Sequence, residues 1–339
     1  GANYWVVGDD DQAIYGWRGS NVDFILNFEE NYPGSKKINL FRNYRSSKMI
    51  VLGAKALARN LSQRHEKRLE AVRDNRGFLG TMTNPNEKIE AKAVTQLVAE
   101  KIGNGLKHKE IAILGRTNSV VIDVLVELNT NDIPFMAKNN LGLFQDRNSK
   151  MILSALMISE NSSPNNKFSI KIDKHLTSFA ESKKNDGWDN RVKSFSTYIK
   201  NRLSTSLTPE QLYESENNLE THKDYLLQKK STSEVIRDLA SMKVADANTD
   251  AVHVGTIHGA KGLEWDTVIL VGWEDGVVPH SLALDRIDEE RRLAYVGITR
   301  AKNYLVLSYA KSRYGKNRFA SPFFREMIRK RNETNEIFL

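Results

Sequence analysis

The sequence predicts an α/β fold, a mainly parallel sheet with helices on both faces, interrupted by a mostly helical insert. Short runs rich in β-branched and aromatic residues alternate with segments of helical period. The alternation stops near residue 160 and resumes at Val252. Between those points, residues 160–250 are rich in Ser, Asn and Lys and hold few strand-like runs.

The strand-like runs lie at 4–7, 37–40, 78–82, 111–114, 133–136, 252–257, 267–271 and 304–309. After the third, Ile89, Ala93, Leu97 and Ile102 fall on one helical face, with Pro85 near the start and Gly103 at the end. After the fourth, Val120, Val124, Leu125 and Leu128 form another such face. In the insert, Thr208-Pro209-Glu210-Gln211 and Ser231-Thr232-Ser233-Glu234 fit capping boxes and mark helix starts. Residues 161–166 read as the entry linker and 245–250 as the exit. No internal repeat is visible.

Length and composition bound the function. A chain of 339 residues divides into about two domains, at roughly 150 residues each. With no Cys, a disulfide scaffold, thiolate-bound zinc, an iron–sulfur cluster and a Cys nucleophile are excluded. No apolar run approaches the ~18 residues of a membrane helix, and no basic-then-apolar leader is present, which reads as a soluble cytoplasmic protein. The net charge of +8 favours a polyanionic partner, although an ordinary basic enzyme fits the charge alone equally well. That charge sits in the flanks. Residues 160–250 hold 14 basic and 14 acidic side chains, whereas 311–331 hold eight basic residues against Glu326 and 55–76 hold seven against three. Two basic segments around a neutral middle suit a phosphate-tracking surface.

Four segments carry chemistry. Residues 8–20 read Gly-Asp-Asp-Asp-Gln-Ala-Ile-Tyr-Gly-Trp-Arg-Gly-Ser directly after a strand-like run, where α/β folds place ligand groups. Residues 41–47, Phe-Arg-Asn-Tyr-Arg-Ser-Ser, put an aromatic beside an Arg at a strand–helix junction, which can stack a base and bind phosphate; Tyr44 as core and Arg45 as a surface cap is the other reading. Residues 254–265, Val-Gly-Thr-Ile-His-Gly-Ala-Lys-Gly-Leu-Glu-Trp, set glycines around His258 and Lys261 that permit close backbone approach to phosphate. Lys261 is followed by Gly262 rather than Ser or Thr, so this is not a P-loop. Residues 288–302 read as a charged helix running toward a strand, with Arg300 placed near its end to reach outward.

In this order the four segments resemble motifs III, IV, V and VI of superfamily 1 helicases of the UvrD/Rep/PcrA type, and 111–118, Ile-Ala-Ile-Leu-Gly-Arg-Thr-Asn, resembles an additional motif of that family. The resemblance implies a RecA-like fold of the P-loop NTPase type. It implies a remnant of a first RecA-like domain at 1–37, a second RecA-like domain at 38–159 and 251–339, and a helical insert at 160–250. No G-x-x-x-x-G-K-[ST] string occurs, nor an apolar strand ending in Asp-Glu. The expectation is a C-terminal fragment of an ATP-dependent 3′–5′ DNA helicase, inactive alone, whose phosphate-binding loop and Mg²⁺ carboxylates lie upstream. Its partners would be single-stranded DNA, partial duplexes and the missing N-terminal RecA-like domain, with no membrane. A non-catalytic nucleic-acid-binding module is the alternative. An RNA-directed enzyme stays open as well, since stacking and phosphate contacts do not report the sugar.

The same resemblance implies roles. Gln12 would sense the γ-phosphate and the attacking water, and Arg45 and Arg300 would reach the γ-phosphate as arginine fingers. Arg18 would support the phosphate network, Tyr44 would stack on adenine, Glu264 would accept from the ribose, and Gly262 belongs to the ATP-binding set. Tyr15 and Trp17 would contact bases; for Trp17 alone, core filling is the stronger reading. Arg116, Asn118, Thr256, His258 and Lys261 are candidates for contact with the nucleic-acid strand, and His258 reads equally as a brace for its loop.

Overall fold

Extended sequence becomes a strand only where a neighbour completes its hydrogen bonds, and the computed structural model shows which runs find one. It describes residues 4–16, 19, 21–137, 144–203, 207, 209–241 and 249–328. Strands β1 (Arg42–Asn43) and β2 (Glu70–Ala71) make a two-residue parallel pair. The main sheet contains β3 (Phe78–Asn84), β4 (Ile111–Gly115), β5 (Phe135–Ala137), β6 (Val252–Thr256), β7 (Trp265–Leu270) and β8 (Ala301–Ala310). Its order is β3–β8–β7–β4–β6–β5, parallel throughout. Every residue of β4 is buried, as expected of a central parallel strand covered on both faces. A short hairpin, β9 (Ser312–Arg313) and β10 (Lys316–Asn317), follows β8.

Short helices α1 (Asp23–Leu26) and α2 (Phe28–Asn31) precede α3 (Lys48–Ala58). Helices α4 (Glu87–Gly103) and α5 (Asn118–Thr130) pack on each other and on the sheet. Helices α6 (Arg147–Ser159), α7 (Lys174–Ser182), α8 (Trp188–Lys200), α9 (Pro209–Leu226) and α10 (Thr232–Ser241) pack around a second hydrophobic core, to which α5 contributes Ile122. Helix α11 (Ile287–Ile298) lies against α3, as does α12 (Pro322–Ile328).

Several expectations are corrected. Residues 4–7 and 37–40 are not strands: they find no partner among the described residues, and Leu40 is 81% exposed. Strand β5 begins at Phe135, after Pro134, which has no N–H to donate. In α4 the buried stripe is Glu90, Ala91, Val94 and Val98, while Ile89 is exposed and Ala93, Leu97 and Ile102 are half-buried. The stripe includes a carboxylate because Arg313 meets it: Arg313 lies buried between Glu90 and Glu274 and so leaves the basic surface assigned to 311–331. Arg329, Lys330 and Arg331 lie outside the described residues. Helix α6, just ahead of the expected entry at 160, shares a hydrophobic cluster with the insert helices. Ser231 accepts the Glu234 N–H at 3.2 Å, but Glu234 reaches back to the Lys230 N–H at 2.8 Å rather than closing the box on Ser231. Thr208, and 245–248 of the expected exit, lie outside the described residues.

Candidate functional site

Three consecutive aspartates repel one another unless cations meet them, and here the cations come from far along the chain. Residues Asp10–Gln12 form one 3-10 turn, capped by Asp9, whose carboxylate accepts the Asp11 N–H at 3.1 Å. Arg64 donates to both oxygens of Asp11, at 3.0 and 2.8 Å. Lys67 Nζ lies 2.5 Å from Asp9, 2.5 Å from Asp10 and 3.2 Å from Asp11. The His65 N–H donates to Asp10 at 2.8 Å. From α11, Arg292 donates to the carbonyls of Asp10 (3.0 Å) and Gln63 (2.8 Å), stapling turn and coil to the helix. Burial works to raise the Asp10 pKa, but Lys67 and the His65 N–H outweigh it and hold the carboxyl below its usual range. Asp11 is raised, chiefly by burial. Burial works to lower Lys67, yet Asp9 and Asp10 hold it above its usual value.

The turn presents Gln12 to the end of α11. Gln12 Nε2 donates to Asp9 at 2.5 Å, and Gln12 Oε1 accepts from Arg300 Nη2 at 3.2 Å. Arg300 is 1% exposed and donates also to Val296 O (2.9 Å), Leu263 O (3.0 Å) and Thr299 Oγ1 (3.0 Å). Among the described residues no carboxylate pairs with it. Burial first, and nearby Arg45 second, push its pKa down to about 10. Arg45 approaches the other side of Thr299, donating to its carbonyl at 3.3 Å. Arg45 is placed by the start of α3, where Ser46 Oγ donates to Ala301 O (2.7 Å) and the Ser47 N–H to Lys302 O (2.8 Å).

Glu264, just before β7, accepts from Arg45 Nε at 2.5 Å and lies 3.0 Å from Lys302. Lys302 and Arg45 together hold its pKa below the usual range. Tyr44 is 66% exposed, its ring open to a planar ligand. Gly262 has φ +89 and open space where a Cβ would stand, so the backbone there is accessible.

The loop 257–264 joins the C-terminal end of β6 to the N-terminal end of β7, so its two ends lie at opposite ends of these parallel strands. At the β6 end, Tyr15 donates from its hydroxyl to His258 O at 3.3 Å, and the rings of Tyr15 and His258 are 6.4 Å apart. Lys261 donates to Gln12 O at 2.8 Å and lies 5.0 Å from the centre of the Tyr15 ring. Thr256 accepts the Gly259 N–H at 3.2 Å and shapes the loop.

The structure therefore brings Gln12, Arg45, Arg300 and Glu264 together, and joins them through Lys261 to Tyr15 and His258. Tyr44 stands exposed beside Arg45, and Asn118 begins α5, half-buried. Arg116 is buried against Glu290, donating to it at 2.7 to 3.1 Å. Trp17 and Arg18 lie outside the described residues. Sequence reasoning missed Asp9, Arg64, Lys67 and Arg292. The signal available was the acidic triplet 9–11 set against the basic stretch 55–76, two opposite charge runs able to neutralise each other.

Two family models match the chain. The UvrD-like helicase C-terminal domain matches residues 38–184 and 171–312, and the UvrD/REP helicase N-terminal domain matches residues 1–33. The protein YjcD of Bacillus subtilis (strain 168) is 31% identical over 97% of this chain and 51% of its own length. The ATP-dependent DNA helicase PcrA of Staphylococcus aureus (strain Mu50) is 29% identical over 92% of this chain and 52% of its own. The chain thus spans about half the length of these relatives. A crystal structure of the C-terminal domain of a possible DNA helicase from Lactobacillus plantarum aligns with 84% of this chain and 94% of its own, at 14% identity and a TM-score of 0.34.

Proposed function

The chain belongs to the UvrD-like helicase family, and on that premise we propose that it is the C-terminal part of an ATP-dependent 3′–5′ DNA helicase. Residues 38–159 and 251–339 act as its second RecA-like domain, 1–37 as the end of the first, and 160–250 as an insert. The observation that carries this reading is the buried Arg300, which among the described residues donates to neutral oxygens alone and converges with Arg45 on Thr299. Two guanidinium groups with one exposed carboxylate between them leave positive charge to spare, which suits a terminal phosphate.

ATP is the substrate of this site; Mg²⁺, held by carboxylates of the N-terminal RecA-like domain, would supply charge neutralisation on its phosphates when bound. Arg300 and Arg45 stabilise the charge of the transferring phosphoryl group. Gln12 offers an amide that both donates and accepts, so it registers whether a phosphate is present. Arg45 leaves Glu264 for phosphate, which frees that carboxylate to accept from a ribose hydroxyl. Tyr44 stacks on the base. Lys261 ties the Gln12 backbone to Tyr15 and His258, the groups that face single-stranded DNA, so a shift at the nucleotide is felt at the strand. Steady-state ATP hydrolysis by the full-length protein tests this: turnover stimulated by single-stranded DNA and lost in Arg45→Ala is expected. Strand binding without any hydrolysis would assign the protein to non-catalytic nucleic-acid binding.

A further inference from the structure

The geometry points to Lys67 and Asp9 as positioning residues that set the orientation of the Gln12 side-chain amide toward Arg300. This assignment rests on the function proposed above and adds to it residues that touch no nucleotide.

The contacts form a relay. Lys67 Nζ lies 2.5 Å from Asp9 Oδ1, Asp9 Oδ2 accepts from Gln12 Nε2 at 2.5 Å, and Gln12 Oε1 accepts from Arg300 Nη2 at 3.2 Å. An amide has one donating and one accepting end. With a carboxylate on one side and a guanidinium on the other, a single orientation pairs both ends; the flipped amide would set NH₂ against the guanidinium and oxygen against the carboxylate. Asp9 therefore decides which end Arg300 meets.

Lys67 decides whether Asp9 can stay. Asp10 and Asp11 are buried beside it, so three negative charges share one turn. They are met by two cations, Arg64 and Lys67, and of these Lys67 alone reaches all three carboxylates. Arg292 holds the assembly on α11, the helix that ends beside Arg300, so the relay and its target share one rigid support. Removing Lys67 leaves the turn one cation short and drives the carboxylates apart.

The test uses the native full-length protein and the 339-residue chain. In the full-length protein, Asp9→Asn and Lys67→Met should each lower kcat for ATP hydrolysis, by up to about a hundredfold as for a misplaced catalytic group, with KM for ATP nearly unchanged. Lys67→Arg, which keeps the cation, should recover most of that loss. In a Gln12→Ala background neither substitution should cost anything further, because the relay then has nothing to orient. In the 339-residue chain, the side-chain amide resonances of Gln12 should shift in Lys67→Met and in Asp9→Asn. Should Lys67→Met fail to fold, Asp9→Asn still decides the matter, since its side chain is partly exposed and the change keeps its shape. Wild-type kcat in Asp9→Asn, losses that add to that of Gln12→Ala, or unshifted Gln12 resonances would each overturn the relay. A full-length protein that hydrolyses no ATP, or a Gln12→Ala variant that turns over normally, would instead overturn the function on which the relay rests.

Discussion

Replacing Arg300 by Met should separate activity from stability. Burial, with Arg45 nearby, pushes the Arg300 pKa down to about 10, and at roughly 1.4 kcal/mol per unit the fold gives up about 3–4 kcal/mol to keep the charge there. Against this stand four hydrogen bonds, to Val296, Leu263, Gln12 and Thr299, worth roughly 1 kcal/mol each net. Met fills the space of the aliphatic stem, forfeits the bonds and removes the cost of the charge. The difference is at most about 1 kcal/mol of destabilisation, a fall in Tm of about 1–2 °C for a chain of this size. An arginine finger contributes roughly 10³–10⁵ to phosphoryl-transfer rates, so the full-length variant should lose at least about a thousandfold in kcat. Single-strand affinity should persist, because the role proposed for Arg300 is at the nucleotide and not at the strand. The assays are thermal unfolding of the 339-residue chain, and steady-state ATPase and strand-binding anisotropy of the full-length protein. A variant that unfolds far more easily yet turns over normally would show that Arg300 is a structural clamp.

The purified 339-residue chain should hydrolyse essentially no ATP, with or without single-stranded DNA, in a phosphate-release assay; robust turnover would mean that it carries a complete site. Tyr44→Ala should leave Tm unchanged, since the ring is exposed, and raise the KM for ATP roughly tenfold in the full-length protein, as expected for loss of a stacking contact. Asp123 has one buried oxygen without a partner, and burial raises its pKa to about 6, opposed by Arg313. The folded state therefore holds a proton that the unfolded chain releases near 3.8, so this contribution to stability is complete below that pH and lost as pH rises through about 6. Melting curves across that window should be flatter for Asp123→Asn. In hydrogen exchange, amides at 10–15 should be protected relative to 4–8, because Ile14 is anchored in the main core and Asp10 and Asp11 are buried, whereas 4–7 lie exposed; equal exchange would mean that the acidic turn is not held on α11.

The sheet strands from β3 to β8, the helical character of the insert and the local segments that carry Gln12, Arg45, Glu264 and Arg300 could be read from the sequence, although Arg300, expected to reach outward, is buried. Periodicity and local motif chemistry are short-range properties, written within a few residues of one another. The exposure of 4–7 and 37–40 could not be read so, because an extended run is a strand only when another segment pairs with it. Nor could the buried face of α4, where Glu90 turns inward to meet an arginine 223 residues away. The same reason governs the site. That Arg300 lies buried with no carboxylate partner among the described residues, that Arg116 closes on Glu290 rather than standing open, and that Lys67 contacts three aspartates are relations between segments distant in sequence. Sequence alone determined which chemical groups the chain carries and on which elements. Tertiary structure decided which charges meet, because the energy of a charge depends on the partners and solvent that folding leaves around it.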